Sequence, residues 1–109
     1  MHELGITKNI ISIVGEHAQG GQIKRVRLEI GKLSAILPDS LRFCFDVCSK
    51  GTVLEGADLE IIDMPGIFRC KECQKENEFD AFFGTCPCGS KNLECISGEE
   101  LKIKEMEFA

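Results

Sequence analysis

Cys70-Lys71-Glu72-Cys73 and Cys86-Pro87-Cys88-Gly89, with twelve residues between the two pairs, decide how the middle of this chain folds. Four thiolates presented by two short turns can surround one Zn²⁺ ion tetrahedrally at about 2.3 Å each, so Cys70, Cys73, Cys86 and Cys88 form a candidate structural zinc site. The second pair is one residue shorter than the usual Cys-x-x-Cys knuckle, which tightens its turn, and Pro87 has no N–H to offer a thiolate. Cys95 is the reserve fourth ligand. Its plainer reading is a small buried residue alternating with Leu93. Residues 65–98 make an insert of 34 residues. A segment below about 40 residues usually needs a metal or disulfide to hold its shape. The ion would then be its core, with Phe68, Phe79, Phe82 and Phe83 as an apolar shell.

On the N-terminal side, Ile6, Ile10, Ile13, Val14 and His17 recur at helical spacing until Gly20-Gly21. Ile23 to Ile30 alternates apolar Val26, Leu28 and Ile30 with charged Arg25, Arg27 and Glu29, a strand with one wet face. Pro38 suits the first turn of a second helix, where Leu41, Phe45 and Cys48 share one face and Cys44 and Val47 widen it. Leu59 to Met64 reads as a second strand, closed by Pro65-Gly66. Beyond the insert, Leu101 and Ile103 alternate with Lys102 and Lys104, but Met106 and Phe108 fall on the other parity, which places a bulge near Glu105. The expected architecture is α+β. A small mixed three-stranded sheet is covered by two helices, two strands run parallel through a right-handed crossover, and a zinc-ribbon-like module is inserted. Residues 1–64 and 99–109 would form one α/β domain and residues 65–98 the zinc-binding module.

A chain of 109 residues with 43% hydrophobic content can build a modest core but no large catalytic cleft. Thirteen basic against eighteen acidic residues give a net charge of -5, which disfavours nucleic acid and anionic membrane as partners. The N-terminus lacks a signal-peptide pattern and no apolar run approaches the roughly 20 residues of a membrane span, so a cytoplasmic protein is expected. Seven cysteines suit metal binding and buried thiols better than a disulfide framework. No nucleophilic triad, phosphate loop or carboxylate pair stands out, so no enzyme is expected.

Cys44 and Cys48, four apart on the second helix, could chelate a metal, though free cysteines within an apolar stripe usually serve as core. His17, at the end of a helical stripe, suits packing or the helix C-terminus. His2 is distinguished by its position. The Met1 amine, the deprotonated His2 amide and the imidazole Nδ1 can close two chelate rings on one ion, and the Glu3 amide could complete a square. Square nitrogen sets suit Ni²⁺ and Cu²⁺. The plainer reading is that any second residue must be something, while Glu3 is an acid favoured near a helix start.

Met1-His2-Glu3-Leu4, Pro38-Asp39-Ser40-Leu41-Arg42-Phe43, Gly51-Thr52-Val53-Leu54-Glu55-Gly56-Ala57, the four-cysteine pattern and Gly98-Glu99-Glu100-Leu101 together resemble the HypA/HybF family of hydrogenase nickel-incorporation proteins. The resemblance covers essentially the whole chain. It implies a nickel metallochaperone for maturation of the [NiFe]-hydrogenase large subunit, acting with the nickel-handling GTPase of the pathway, HypB. It implies nickel, the cargo, at Met1, His2 and Glu3, and structural zinc at Cys70, Cys73 and Cys86. Cys88 takes the fourth place by adjacency, with Cys95 as the alternative. Two rivals of other classes are a zinc-ribbon adaptor for protein or nucleic-acid partners and a Cys-x-x-Cys thiol oxidoreductase. Residues 69–92 carry Arg69, Lys71, Lys75 and Lys91 against Glu72, Glu76, Glu78 and Asp80, so the ribbon has no basic face for nucleic acid.

Overall fold

A computed structural model describes residues 2–81 and 84–109, His2 by its backbone alone. Met1, Phe82 and Phe83 lie outside the described residues. The elements follow in the order α1 (His2–Ala18), β1 (Ile23–Gly31), α2 (Pro38–Cys48), β2 (Asp58–Met64), β3 (Ile67–Cys70), β4 (Glu76–Glu78), β5 (Leu93–Ser97) and β6 (Leu101–Phe108). They divide into two compact units, one of Met1–Leu28, Ile36–Ile62 and Lys102–Ala109, the other of Glu29–Ala35 and Asp63–Leu101. No helix among the described residues is long and apolar enough to cross a membrane.

In the first unit, α1 buries Thr7, Ile10, Val14 and Ala18, a stripe displaced from the expected one; Ile13 is 46% exposed. Thr7 tolerates burial because its hydroxyl donates to the Glu3 carbonyl at 2.6 Å. Gln19 and Gly20 enter the left-handed region and the Gly21 N–H closes on the Ala18 carbonyl, which ends the helix. α2 packs against α1. It begins with Pro38 after Leu37, an N-terminal residue with no side-chain acceptor to give. The Glu3 carboxylate accepts the Leu37 N–H at 3.3 Å instead, so an acid on α1 lies at the start of α2. Leu41 and Phe45 are buried and Cys44 and Cys48 half-buried, whereas Val47 is 51% exposed. Val47 therefore does not widen the buried stripe, since two residues beyond Phe45 carry it roughly 200° around the helix. Leu54 fills the core from a loop held by side chains: the Thr52 hydroxyl donates to the Ser49 carbonyl and the Glu55 carboxylate accepts the Gly51 N–H.

The sheet has the order β2-β1-β6. Before β2, the Val53 carbonyl accepts the Ile23 N–H, and the Met64 carbonyl at its end accepts the Lys32 N–H, so β1 and β2 advance together. Gln22 pairs with Ala109 and Gly31 with Glu100, so β6 runs the other way and the sheet is mixed. β1 alternates as expected: Val26, Leu28 and Ile30 are buried, while Arg25 and Arg27 reach Glu60 on one side and Glu107 and Glu105 on the other. On β6, Ile103, Lys104, Glu105 and Met106 all line one groove with Ile13, Val14 and His17. Ile103 and Met106, three residues apart, are both half-buried, a departure from strict alternation in keeping with the parity change in the sequence. At the sheet's other edge, the Arg42 guanidinium donates to the Leu59 carbonyl at 2.7 Å.

The second unit holds a sheet that the sequence patterns did not suggest, of order β4-β3-β5 with both pairings antiparallel. Strands of three to five residues are too short to show a period. Their arrangement depends on close backbone approaches. A Cβ on Gly31 would lie 1.9 Å from the Gly98 carbonyl oxygen, and Gly98 itself has φ +121°. The Glu100 carboxylate secures this corner, accepting the Ser97 hydroxyl and the Gly98 N–H, each at 2.7 Å. The Ser97 hydroxyl, against the opposing effect of burial, holds the Glu100 carboxyl below its ordinary pKa. Because backbone cannot yield as a side chain can, Gly31→Ala is expected to cost about 3 kcal/mol or more, read as a fall in the urea midpoint of the metal-loaded protein. A loss below about 1 kcal/mol would mean the corner relaxes.

Candidate metal centre

β3 ends in Cys70, and the turn after it brings Cys73 back beside it. The Cys70 N–H donates to the Lys75 carbonyl and the Gln74 N–H to the Cys70 carbonyl, both at 2.9 Å, with Gln74 at φ +67°. The second knuckle repeats this scheme one residue tighter. The Cys86 N–H donates to the Ser90 carbonyl and the Gly89 N–H to the Cys86 carbonyl, with Gly89 at φ +94° in the place of Gln74. The short Cys86-Pro87-Cys88 spacing is thus absorbed by a smaller loop of the same design, and Gly89 supplies the left-handed residue without strain.

The four Sγ atoms of Cys70, Cys73, Cys86 and Cys88 lie within 4.8 Å of one another. Cys70 Sγ stands 3.6 Å from Cys88 Sγ, and Cys73 Sγ 3.5 Å from Cys86 Sγ. Thiolates at about 2.3 Å from a central tetrahedral ion would be separated by roughly 3.8 Å, whereas a disulfide would need about 2.05 Å. The spacing fits four ligands around one ion and no covalent bond. Cys70 and Cys86 are buried, Cys73 is half-buried and Cys88 exposed, so the cluster has one open side.

Backbone and side-chain donors face the sulfurs. The Cys73 N–H points to Cys70 Sγ at 3.5 Å, and the Asn77 amide to Cys86 Sγ at 3.7 Å. Asn77 was missed by reading the sequence; an amide within a three-residue strand four positions after a cysteine was the available signal. The Cys73 N–H, outweighing burial, lowers the Cys70 thiol to about 6. Cys88 behaves oppositely. Although the Ser90 N–H favours its thiolate, the neighbouring Cys86 and Cys70 sulfurs and burial push it up to about 12. Four sulfurs at this separation repel one another as anions, so full ionisation requires a cation among them.

The remaining sequence candidates lie elsewhere. Cys95, on β5, directs its thiol to the Ser97 carbonyl at 3.4 Å and stands outside the four-sulfur group; burial, then Glu99, pushes it up. Cys44 and Cys48 remain within α2, and the His17 Nδ1–H donates to the Ile13 carbonyl at 2.8 Å. Phe68 and Phe79 meet edge to face at 5.6 Å. Phe82 and Phe83 fall outside the described residues. So do Met1 and the His2 side chain, two of the three expected nickel ligands. Glu3, the third, is half-buried in the first turn of α1 with its carboxylate on Leu37.

Residues 1–108 match the family model described as hydrogenase/urease nickel incorporation, metallochaperone, hypA. The chain is 63% identical over 108 residues to hydrogenase maturation factor HypA of Nostoc punctiforme, covering 99% of this chain and 96% of that one. It is 44% identical over 108 residues to the HypA of Geobacter metallireducens, covering 98% of each. Its fold superposes on a solution structure of HypA protein with a TM-score of 0.74 at 30% identity, covering 100% of this chain and 97% of that one. It also superposes on the solution structure of the Ni metallochaperone HypA from Helicobacter pylori, with a TM-score of 0.67, 26% identity and coverage of 97% and 96%. Match, identity and fold agree over the whole length: this chain belongs to the HypA family of hydrogenase/urease nickel-incorporation metallochaperones.

Proposed function

We propose that this chain carries Ni²⁺ at its N-terminus and delivers it to the [NiFe]-hydrogenase large subunit, with zinc held by Cys70, Cys73, Cys86 and Cys88. The observation that carries the reading is a family match beginning at Met1 itself, so that it includes Met1-His2-Glu3. The helix start adds a physical argument. α1 begins at His2, so the backbone nitrogens of His2 and Glu3 stand next to one another in its first turn, at the end of the helix where a metal would draw on them. The Glu3 carboxylate is engaged by Leu37, which favours participation of Glu3 through its backbone. Nitrogen donors in a square suit nickel, and a site at a chain end can release its cargo.

The nickel-handling GTPase HypB and the hydrogenase large subunit are the proposed partners, and the cytoplasm the proposed compartment. Residues 1–64 and 99–109 are proposed as the nickel-binding domain and residues 65–98 as the zinc module. Zinc in the cluster would act structurally, fixing two knuckles that lack a large core of their own. The exposed Cys88 side would remain at the surface for a partner to meet.

Titration of the untagged, zinc-loaded protein with Ni²⁺, followed by calorimetry and absorbance, is expected to show one equivalent bound with a planar-nickel band. Both should be lost in His2→Ala; equal binding by the two proteins would remove the N-terminal site.

Zinc uptake should depend on pH in a direction set by the thiols. The lowered Cys70 pKa favours its thiolate, a contribution present at pH 7 and lost as pH falls through about 6. Cys88, raised to about 12, must give up its proton to the ion. At pH 7, calorimetry in buffers of different ionisation enthalpy should therefore count fewer than four protons released, and affinity should fall further below pH 6. Release of four protons would contradict the assigned Cys70 thiolate.

A further inference from the structure

The cluster of Cys70, Cys73, Cys86 and Cys88 is a store of reducing electrons as well as a set of ligands, and its layout decides how those electrons leave. Cys70 and Cys86 are buried and Cys73 is half-buried, whereas Cys88 is exposed, so an oxidant arriving from solvent meets Cys88 first. Cys86 is covered further by the Asn77 amide, 3.7 Å from its sulfur. The sulfurs are also partnered across the site. Cys88 Sγ stands 3.6 Å from Cys70 Sγ, and Cys73 Sγ stands 3.5 Å from Cys86 Sγ. Each of these pairs takes one sulfur from each knuckle. A disulfide needs about 2.05 Å, so either pair closes by a movement of roughly 1.5 Å. The remaining thiols are placed differently. Cys95 is half-buried with its thiol on the Ser97 carbonyl, and Cys44 and Cys48 are half-buried on α2.

We infer that Cys88 is an oxidation site for peroxide, and that its reaction converts the four-sulfur site into two disulfides, joining Cys70 to Cys88 and Cys73 to Cys86, with release of the ion. The inference rests on the proposed zinc coordination. Cysteines bind zinc as thiolates, and the thiolate is the form that attacks an oxidant. Cys88 Sγ attacks one peroxide oxygen, the O–O bond breaks and hydroxide leaves, which gives the Cys88 sulfenic acid. Cys70 Sγ then attacks that sulfur, and the S–S bond forms as the S–O bond breaks and a second hydroxide leaves. Two thiolates have lost two electrons, one peroxide has gained them, and two protons from solvent turn the hydroxides into water. Only two ligands then remain, fewer than the four of a structural zinc site. Cys73 and Cys86 react with a second peroxide in the same way.

The pairing has a structural consequence. Disulfides within each knuckle would leave the two knuckles untied, but these cross between them as the ion does. The ribbon keeps its crosslink while its metal site is closed, and a thiol reductant reopens it.

The test treats the full, zinc-loaded chain with hydrogen peroxide, reading zinc release with a chromogenic chelator and disulfides by mass spectrometry of tryptic peptides. Cleavage after Lys71 separates Cys70 from Cys73, and fragmentation before Pro87 separates Cys86 from Cys88. Excess peroxide should release the zinc and join Cys70 to Cys88 and Cys73 to Cys86. A single equivalent should give the first disulfide ahead of the second. Reduction followed by Zn²⁺ should restore the metal. Three results would overturn the inference: zinc retained in excess peroxide, disulfides formed within a knuckle, or oxidation of Cys44, Cys48 or Cys95 ahead of Cys88. A chain that holds no zinc before peroxide is added would instead overturn the coordination itself, and the inference with it.

Discussion

Four sulfur atoms within 4.8 Å of one another cannot all be anions unless a cation stands among them, and the antiparallel ribbon is organised around that constraint. β3 delivers Cys70 from its end, β4 carries Asn77 toward Cys86, and the second knuckle returns the chain to β5. The opposed behaviour of Cys70 and Cys88, one readily ionised and the other reluctant, expresses the same repulsion. A proton on Cys88 is what a cluster of thiols uses when no metal carries the charge. A cation bound there would couple coordination to the folding of this segment, since a site assembled from distant cysteines forms only as the chain folds.

Reading the sequence recovered what has a period or a fixed spacing. β1 announced itself through Val26, Leu28 and Ile30 against Arg25, Arg27 and Glu29, and α2 through Pro38, Leu41 and Phe45. The cysteine pairs followed from spacing alone, because two knuckles on one ion need little else. Other features depend on positions distant in the chain. The choice between Cys88 and Cys95 rests on where β5 lies, and no local pattern encodes the approach of Gly31 to Gly98. A glycine in sequence is silent about whether it supplies a turn or makes room for a carbonyl, and here Gly89 does the first and Gly31 the second. The buried stripe of α1 was displaced by one position because Thr7, polar by type, satisfies its hydroxyl within the helix and becomes core. Asn77 escaped for a similar reason: its role is defined by a sulfur nine residues away.

The first turn of α1 shows how little sequence can serve more than one purpose. Glu3 is an acid in the first turn of α1, and its carboxylate also accepts the Leu37 N–H at the bare start of α2. Substituting Glu3 would therefore disturb helix capping even where no metal is present.

The bond from Arg42 to the Leu59 carbonyl has a bearing on polymerisation. A sheet open at both margins can add strands without end, which is the geometry of fibrils. Here one margin is occupied by a guanidinium, whose planar fork holds a carbonyl that an incoming strand would otherwise claim.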